Sequence, residues 1–155
     1  MYPWINKMKP IAFLVLTLFF AFSGCKKSGM APGSDLIIKA GFACGWGSGE
    51  DSLEISKTTV RYVYYIPAKS HEPVINKTRA VSDSEWTEIL DDINLDEFVK
   101  LNYQTCNICV DGCDEWIFVQ DDIISHNIRF NKGEKIDQIN KLQNKLEQLR
   151  TEFSK

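Results

Sequence analysis

The chain has 155 residues, 44% hydrophobic and 25% charged, with 18 basic and 21 acidic side chains and a formal net charge of −3. That length suits one domain with its own core and leaves too little for a comfortable second. The mild acidity, with no arginine cluster or basic stripe, excludes the electrostatic footprint of a nucleic-acid binder.

The N-terminus carries Lys7 and Lys9 ahead of an apolar run from Ile11 to Phe22, then the small residues Ser23 and Gly24, then Cys25. A basic start, a short greasy core and small residues before a cleavage point make a secretory signal over residues 1–24. The run is too short to cross a bilayer, which takes about 20 residues. Its removal leaves 131 residues with 16 basic and 21 acidic side chains, so the mature chain is more acidic than the whole. Residues 25–34, rich in Gly, Pro and small side chains, read as a flexible tether. Its nine residues after Cys25 reach at most roughly 30 Å. A single globular domain is expected over 35–155.

Leu36 to Ala40 reads as a first, buried strand. The following span, Gly41 to Asp51, holds four glycines and is expected to be irregular, with Cys44 and Trp46 pinning it to the body. Leu53–Ser56 and Val60–Ile66 alternate around a polar turn and predict a hairpin. Tyr62 and Tyr64 share one face of its second strand and Tyr65 the other. Such a tyrosine-rich strand fits a half-wet sheet face, and it also offers a recognition surface. Val74 to Ala80 predicts an edge strand, with Lys77 and Arg79 as its guards.

Ser82-Asp83-Ser84-Glu85 has the spacing of a capping box, and Asn94-Leu95-Asp96-Glu97 repeats the pattern, so two short helices or one bent helix are expected. Glu115–Gln120 and Ile123–Phe130 predict a second hairpin through Asp121-Asp122, which would set Val119 opposite Ile124 and Ile117 opposite His126. From Glu134 to Phe153 apolar residues recur every three or four positions, the signature of an amphipathic helix packed on its own sheet. The elements together predict an α+β fold: an antiparallel sheet built of a four-strand meander plus a C-terminal hairpin, with two short helices and one long one packed on it.

Cys44, Cys106, Cys109 and Cys113 carry the only distinctive chemistry, and three readings compete. In an oxidising space four cysteines make two disulfides, and with three of them inside eight residues Cys44 must reach the cluster; the sequence does not choose the pairing. A zinc site from the four, perhaps with His126, is the second reading, since Cys-x-x-Cys is a zinc spacing. The third is thiol–disulfide exchange by Cys106 and Cys109, although catalytic pairs of this spacing open a helix whereas this one precedes a strand. His126, flanked by Ile124 and Ile128, reads as a satisfied core histidine. Glu50-Asp51 and Asp111/Asp114 would meet in a surface calcium site if Cys44 bonds to the cluster. No nucleophile-elbow, metalloprotease or phosphate-loop pattern occurs, so no catalytic residue and no cofactor is assigned.

Phe22-Ser23-Gly24-Cys25 resembles the lipobox of bacterial lipoproteins. The resemblance implies cleavage before Cys25 and acylation of that residue, with palmitate-type chains holding the protein to a membrane. Lys26 is not the aspartate that retains such proteins in the inner membrane, which implies the outer membrane. The element order is similar to that of small outer-membrane lipoproteins of unknown function. A non-enzymatic binding domain facing the periplasm or the cell surface is therefore expected, with Trp46, Tyr62, Tyr64 and Tyr65 as recognition residues and a protein or small ligand as partner. The alternative is a thiol-redox or metal-handling lipoprotein acting through Cys106, Cys109 and Cys113.

Overall fold

The computed structural model describes residues 35–154. The expected lipobox, signal segment and tether lie outside them. Six antiparallel strands form one sheet, β1 (Ile37–Cys44), β2 (Glu50–Ile55), β3 (Thr59–Tyr65), β4 (Ile75–Ala80), β5 (Cys113–Gln120) and β6 (Ser125–Asn131). Their spatial order is β4-β3-β2-β1-β5-β6, so the meander and the C-terminal hairpin meet along β1. Helices α1 (Asp83–Asp92), α2 (Leu95–Phe98) and α3 (Asn140–Ser154) cover one face. This is the expected α+β architecture.

Alternation along the strands places the core. Ile38 and Ala40 of β1, Leu53 and Ile55 of β2, Val60 and Tyr62 of β3, Ile117 and Val119 of β5, and Ile128 and Phe130 of β6 all turn toward the helices. From α3, Leu142, Leu146, Leu149 and Phe153 close the layer, and Trp86, Ile89, Leu95 and Phe98 come from α1 and α2. Each fully buried aliphatic or aromatic side chain contributes roughly 1.5–3 kcal/mol of transfer free energy. Both predicted caps form. Ser82 Oγ accepts from Glu85 N at 3.2 Å and Asn94 Oδ1 from Glu97 N at 3.3 Å. No helix among the described residues is long and apolar enough to cross a membrane.

Three local expectations are corrected. The glycine-rich span does not begin an irregular loop at Gly41, because β1 runs on through Cys44. Glycine is tolerated there for the space it leaves: a Cβ on Gly41 would lie 2.7 Å from the Trp116 ring and would clash with the Asp51 carbonyl oxygen, so the indole rests directly on the strand. The second hairpin pairs Val119 with His126 and Ile117 with Ile128, two residues out from the expected register. Asp121 Oδ1 accepts from both Ile123 N and Ile124 N at 2.7 Å, which closes a four-residue connection. A slip of two keeps every side chain on its face, so the core is unchanged.

β4 is the expected edge strand, and its Lys77 and Arg79 are charges turned inward from it. They turn to the helix face, where Lys77 Nζ donates to the Phe153 carbonyl at 2.6 Å and Arg79 pairs with both Glu85 and Glu152. Finally, the last helix starts at Asn140 rather than Glu134. Gln143 Oε1 accepts from Ile136 N and its amide donates to the Glu134 carbonyl, which holds that approach extended before a 3-10 turn at Asp137–Ile139.

Candidate functional site

The end of the sheet where β1 leaves and β5 enters concentrates the unusual residues. Cys44 and Cys113 stand directly opposite each other in the β1–β5 register, Cα atoms 4.0 Å apart, and are joined in a disulfide. Cys106 and Cys109 form the second. Cys44 thus reaches the cluster, as the disulfide reading of these four cysteines expected. The first bridge spans 69 positions of sequence and stabilises by about 4 kcal/mol in the chain-entropy account.

Two turns pack together beyond the bridge. Cys44 passes into a 3-10 turn, Gly45–Gly47, with Trp46 at φ 55° and Gly47 at φ 64°. Asn107–Val110 forms the other, closed by Asp111 in the left-handed region at φ 65°. Gly45 N donates to the Gly112 carbonyl at 2.9 Å, and a Cβ on Gly45 would lie 2.8 Å from Asp111 Cα, so the turns touch backbone to backbone. Trp46 at 82% and Val110 at 75% exposure project from them. Trp46 therefore does not pin its loop to the body; the disulfide and the backbone contacts do.

Asp114 organises this end from beneath. Its carboxylate is 1% exposed and accepts from Thr105 Oγ1 at 2.7 Å, Asn107 Nδ2 at 2.8 Å and Ile108 N at 3.2 Å. Burial alone would raise its pKa, but the donors outweigh it and hold the carboxyl below the usual aspartate value. The segment leading in is also fixed. Arg129 N donates to the Tyr103 carbonyl and Thr105 N to the Arg129 carbonyl, so residues 103–105 run beside β6 and cover its edge.

On the helix face a charged group is buried. Arg150 of α3 reaches Glu115 at 3.1 Å and Asp51 at 3.5 Å, and its Nε makes no hydrogen bond. Asp51 Oδ1 accepts from Phe42 N at 2.9 Å, and burial lifts its pKa despite Arg150. Burial and the Asp51 charge push the Tyr62 hydroxyl up to about 12. Glu115 and Arg150, with Lys132, Lys135 and Glu147, line an open cleft of about 380 Å³. Lys132 Nζ lies 3.6 Å from the Phe42 ring centre.

The candidates therefore separate. Tyr62 is buried, stacked on Phe153 at 5.7 Å between ring centres, and cannot serve a recognition surface. Tyr64 shares its core-facing side and is half-buried. Tyr65, on the opposite face, is exposed and donates to the Glu50 carboxylate, which raises its own pKa. Trp46 and Tyr65 remain at the surface. His126 Nε2 bonds the Leu101 carbonyl at 2.9 Å and its ring meets Phe98 edge-on, which makes it a satisfied core histidine.

With both disulfides closed, none of the four cysteines offers a thiolate to a metal. No cluster of three or more His, Cys, Asp or Glu side chains among the described residues is placed to hold one. Asp51 and Asp114 do not meet in a calcium site either. They pair with Phe42 and Ala43 respectively, adjacent positions of β1, and so face opposite sides of the sheet. The sequence points to Asp51 and Asp114 as calcium ligands, but not to Asp114's role as the acceptor beneath the turns or to the pairing of Asp51 with Arg150, because neither role carries a motif and each depends on register. No protein-family model matches this chain, and no curated protein matches it.

Proposed function

We propose that the protein is a lipid-anchored, extracytoplasmic binding module, held to the outer membrane through Cys25, that recognises a protein partner with its disulfide-braced loop end. The observation that carries this is the pair of apolar tips, Trp46 and Val110, displayed on two mutually packed turns. An exposed tryptophan on a turn packed against one that carries a second exposed apolar side chain has the composition of a binding hot spot. It is costly to leave in water unless something covers it. The chain enters β1 at Ile37 and the tips follow its other end at Cys44, which leaves them at the far end of that strand from the N-terminal side of the domain. Two disulfides suit an oxidising compartment. No catalytic role is assigned.

The test is site-specific photo-crosslinking in the producing cell. A photoreactive residue at Trp46 is expected to give a discrete adduct, and the same residue at Gln120, at the opposite end of β5, none. Equal labelling from both positions would sink the recognition reading. Cys25→Ser, followed by fractionation, tests the anchor separately: the variant should leave the membrane fraction or stay unprocessed.

A further inference from the structure

We propose that Cys106–Cys109 is an exchangeable disulfide that accepts an electron pair from a dithiol while Cys44–Cys113 stays closed, making this loop a thiol–disulfide exchange site. The two bridges differ in access. Cys106 and Cys109 are both exposed on the surface turn, whereas Cys44 and Cys113 are half-buried at the join of two strands in the interior of the sheet. Exchange proceeds by attack of a thiolate on a sulfur, so the exposed pair is the one open to it.

They differ also in what their loss would release. Cys44–Cys113 closes a long segment, while Cys106–Cys109 closes a single turn that is held without it. Asp114 takes donors from Thr105, Asn107 and Ile108, and Gly112 N donates to the Asn107 carbonyl at 2.7 Å. Asn107 Nδ2 also donates to Asn131 Oδ1. A bridge across a turn already fixed at these points is redundant as a staple. Its two sulfurs stay close when reduced, since Asp114 holds the residues between them, so the reduced pair can re-form the bridge on a new acceptor disulfide and the exchange runs in both directions.

The step balances as a two-electron exchange. A donor thiolate attacks one sulfur of the pair, forming a mixed disulfide and expelling the other cysteine as a thiolate that takes up a proton. The donor's second thiol then attacks the mixed disulfide. It leaves as an intramolecular disulfide, and Cys106 and Cys109 are left as thiols. Val110 within the turn and Trp46 beside it give a polypeptide dithiol an apolar seat; this clause alone rests on the recognition reading above.

The purified protein is titrated with dithiothreitol, quenched with an alkylating reagent and mapped by peptide mass. Cys106 and Cys109 are expected to be labelled at a dithiol concentration at least tenfold below that labelling Cys44 and Cys113, with the far-ultraviolet circular dichroism unchanged. Simultaneous opening of both bridges, or opening of Cys106–Cys109 only as the fold is lost, would overturn the proposal. The double variant Cys106→Ser/Cys109→Ser is expected to fold and to keep Cys44–Cys113 closed; failure to fold would show the pair to be structural. With a thioredoxin-fold dithiol as reductant, Trp46→Ala is expected to slow exchange about fivefold while leaving the dithiothreitol rate alone. An unchanged rate there counts against the recognition surface and not against exchange.

Discussion

Asp51 and Asp114 are both buried, flank adjacent positions of β1 and face opposite sides of the sheet, yet their environments push their protons in opposite directions. Asp114 receives three donors within 3.2 Å, two side chains and one backbone N–H. Asp51 has one backbone donor and an arginine at 3.5 Å that is shared with Glu115. Burial penalises both charges. Directed hydrogen bonds, which for a charged acceptor contribute roughly 1.5–3 kcal/mol each, outweigh the penalty at Asp114, whereas the single backbone donor and Arg150 do not outweigh it at Asp51. The loop end is thus built around a satisfied anion. The helix face carries a charge whose desolvation is only partly offset.

The sharpest way to break this contrast is Asp114→Ala. It strips the acceptor from Thr105, Asn107 and Ile108 at once, and stability is expected to fall by about 3 kcal/mol, since an unsatisfied buried donor costs about 1–3 kcal/mol. Urea denaturation at pH 7 reads the loss. Amide exchange should place the local damage in residues 105–112. If Asp114→Ala unfolds no more easily than wild type, the loop is not organised from this carboxylate. Asp114→Asn keeps one acceptor oxygen and should fall between the two.

On the other face the expected effects are smaller. Arg150→Met leaves Asp51 and Glu115 facing each other without their shared cation, and a loss of about 2 kcal/mol is expected, below the roughly 3–5 kcal/mol of a fully buried broken pair because Arg150 keeps some solvent contact. Asp51→Asn removes a charge the fold already disfavours, and its effect at pH 7 should stay within about 1 kcal/mol of zero. Urea midpoints of the two variants decide between a desolvated charge and a stabilising bridge: an Asp51→Asn loss as large as that of Arg150→Met would mean the pair is a net stabiliser.

What the sequence made legible follows the range of each interaction. Strand alternation, the three-or-four spacing of α3 and the Ser82 and Asn94 caps are local, and they specified the α+β layout. The two-residue shift at Asp121 was not legible, because an aspartate side chain lengthened the turn without disturbing the face. Nor was the extension of β1 through Gly41, where the glycine makes room for Trp116 from a strand far along the chain. The four cysteines beyond Cys25 indicated disulfides, but their pairing waited on the β1–β5 register. That register also set Asp51 and Asp114 on opposite faces, so no pattern in either strand alone could reveal their roles. Tyr62 shows the same limit: its alternation was read correctly, but which face met the helices was not.

The smallest effect is the most direct test of the contrast, because it perturbs nothing covalently. Asp114, with its folded pKa below the ordinary 3.8, contributes stability that is present above that value and lost as pH falls through its folded pKa. Asp51, with its folded pKa above 3.8, has the opposite sign: its contribution is fully present below 3.8 and is lost as pH rises through the folded value. Side-chain carboxyl carbon shifts followed by nuclear magnetic resonance should show Asp51 titrating above pH 3.8 and Asp114 below it. The Ile108 amide should keep its protection until the second transition and lose it there, because it donates to the same carboxylate. The two slopes act on opposite sides of pH 3.8, so the contribution of this pair to global stability passes through a maximum near that value, and the residue-resolved titration assigns each limb to its carboxylate. Coincident titrations would mean that the donors beneath the loop do not distinguish the two carboxylates.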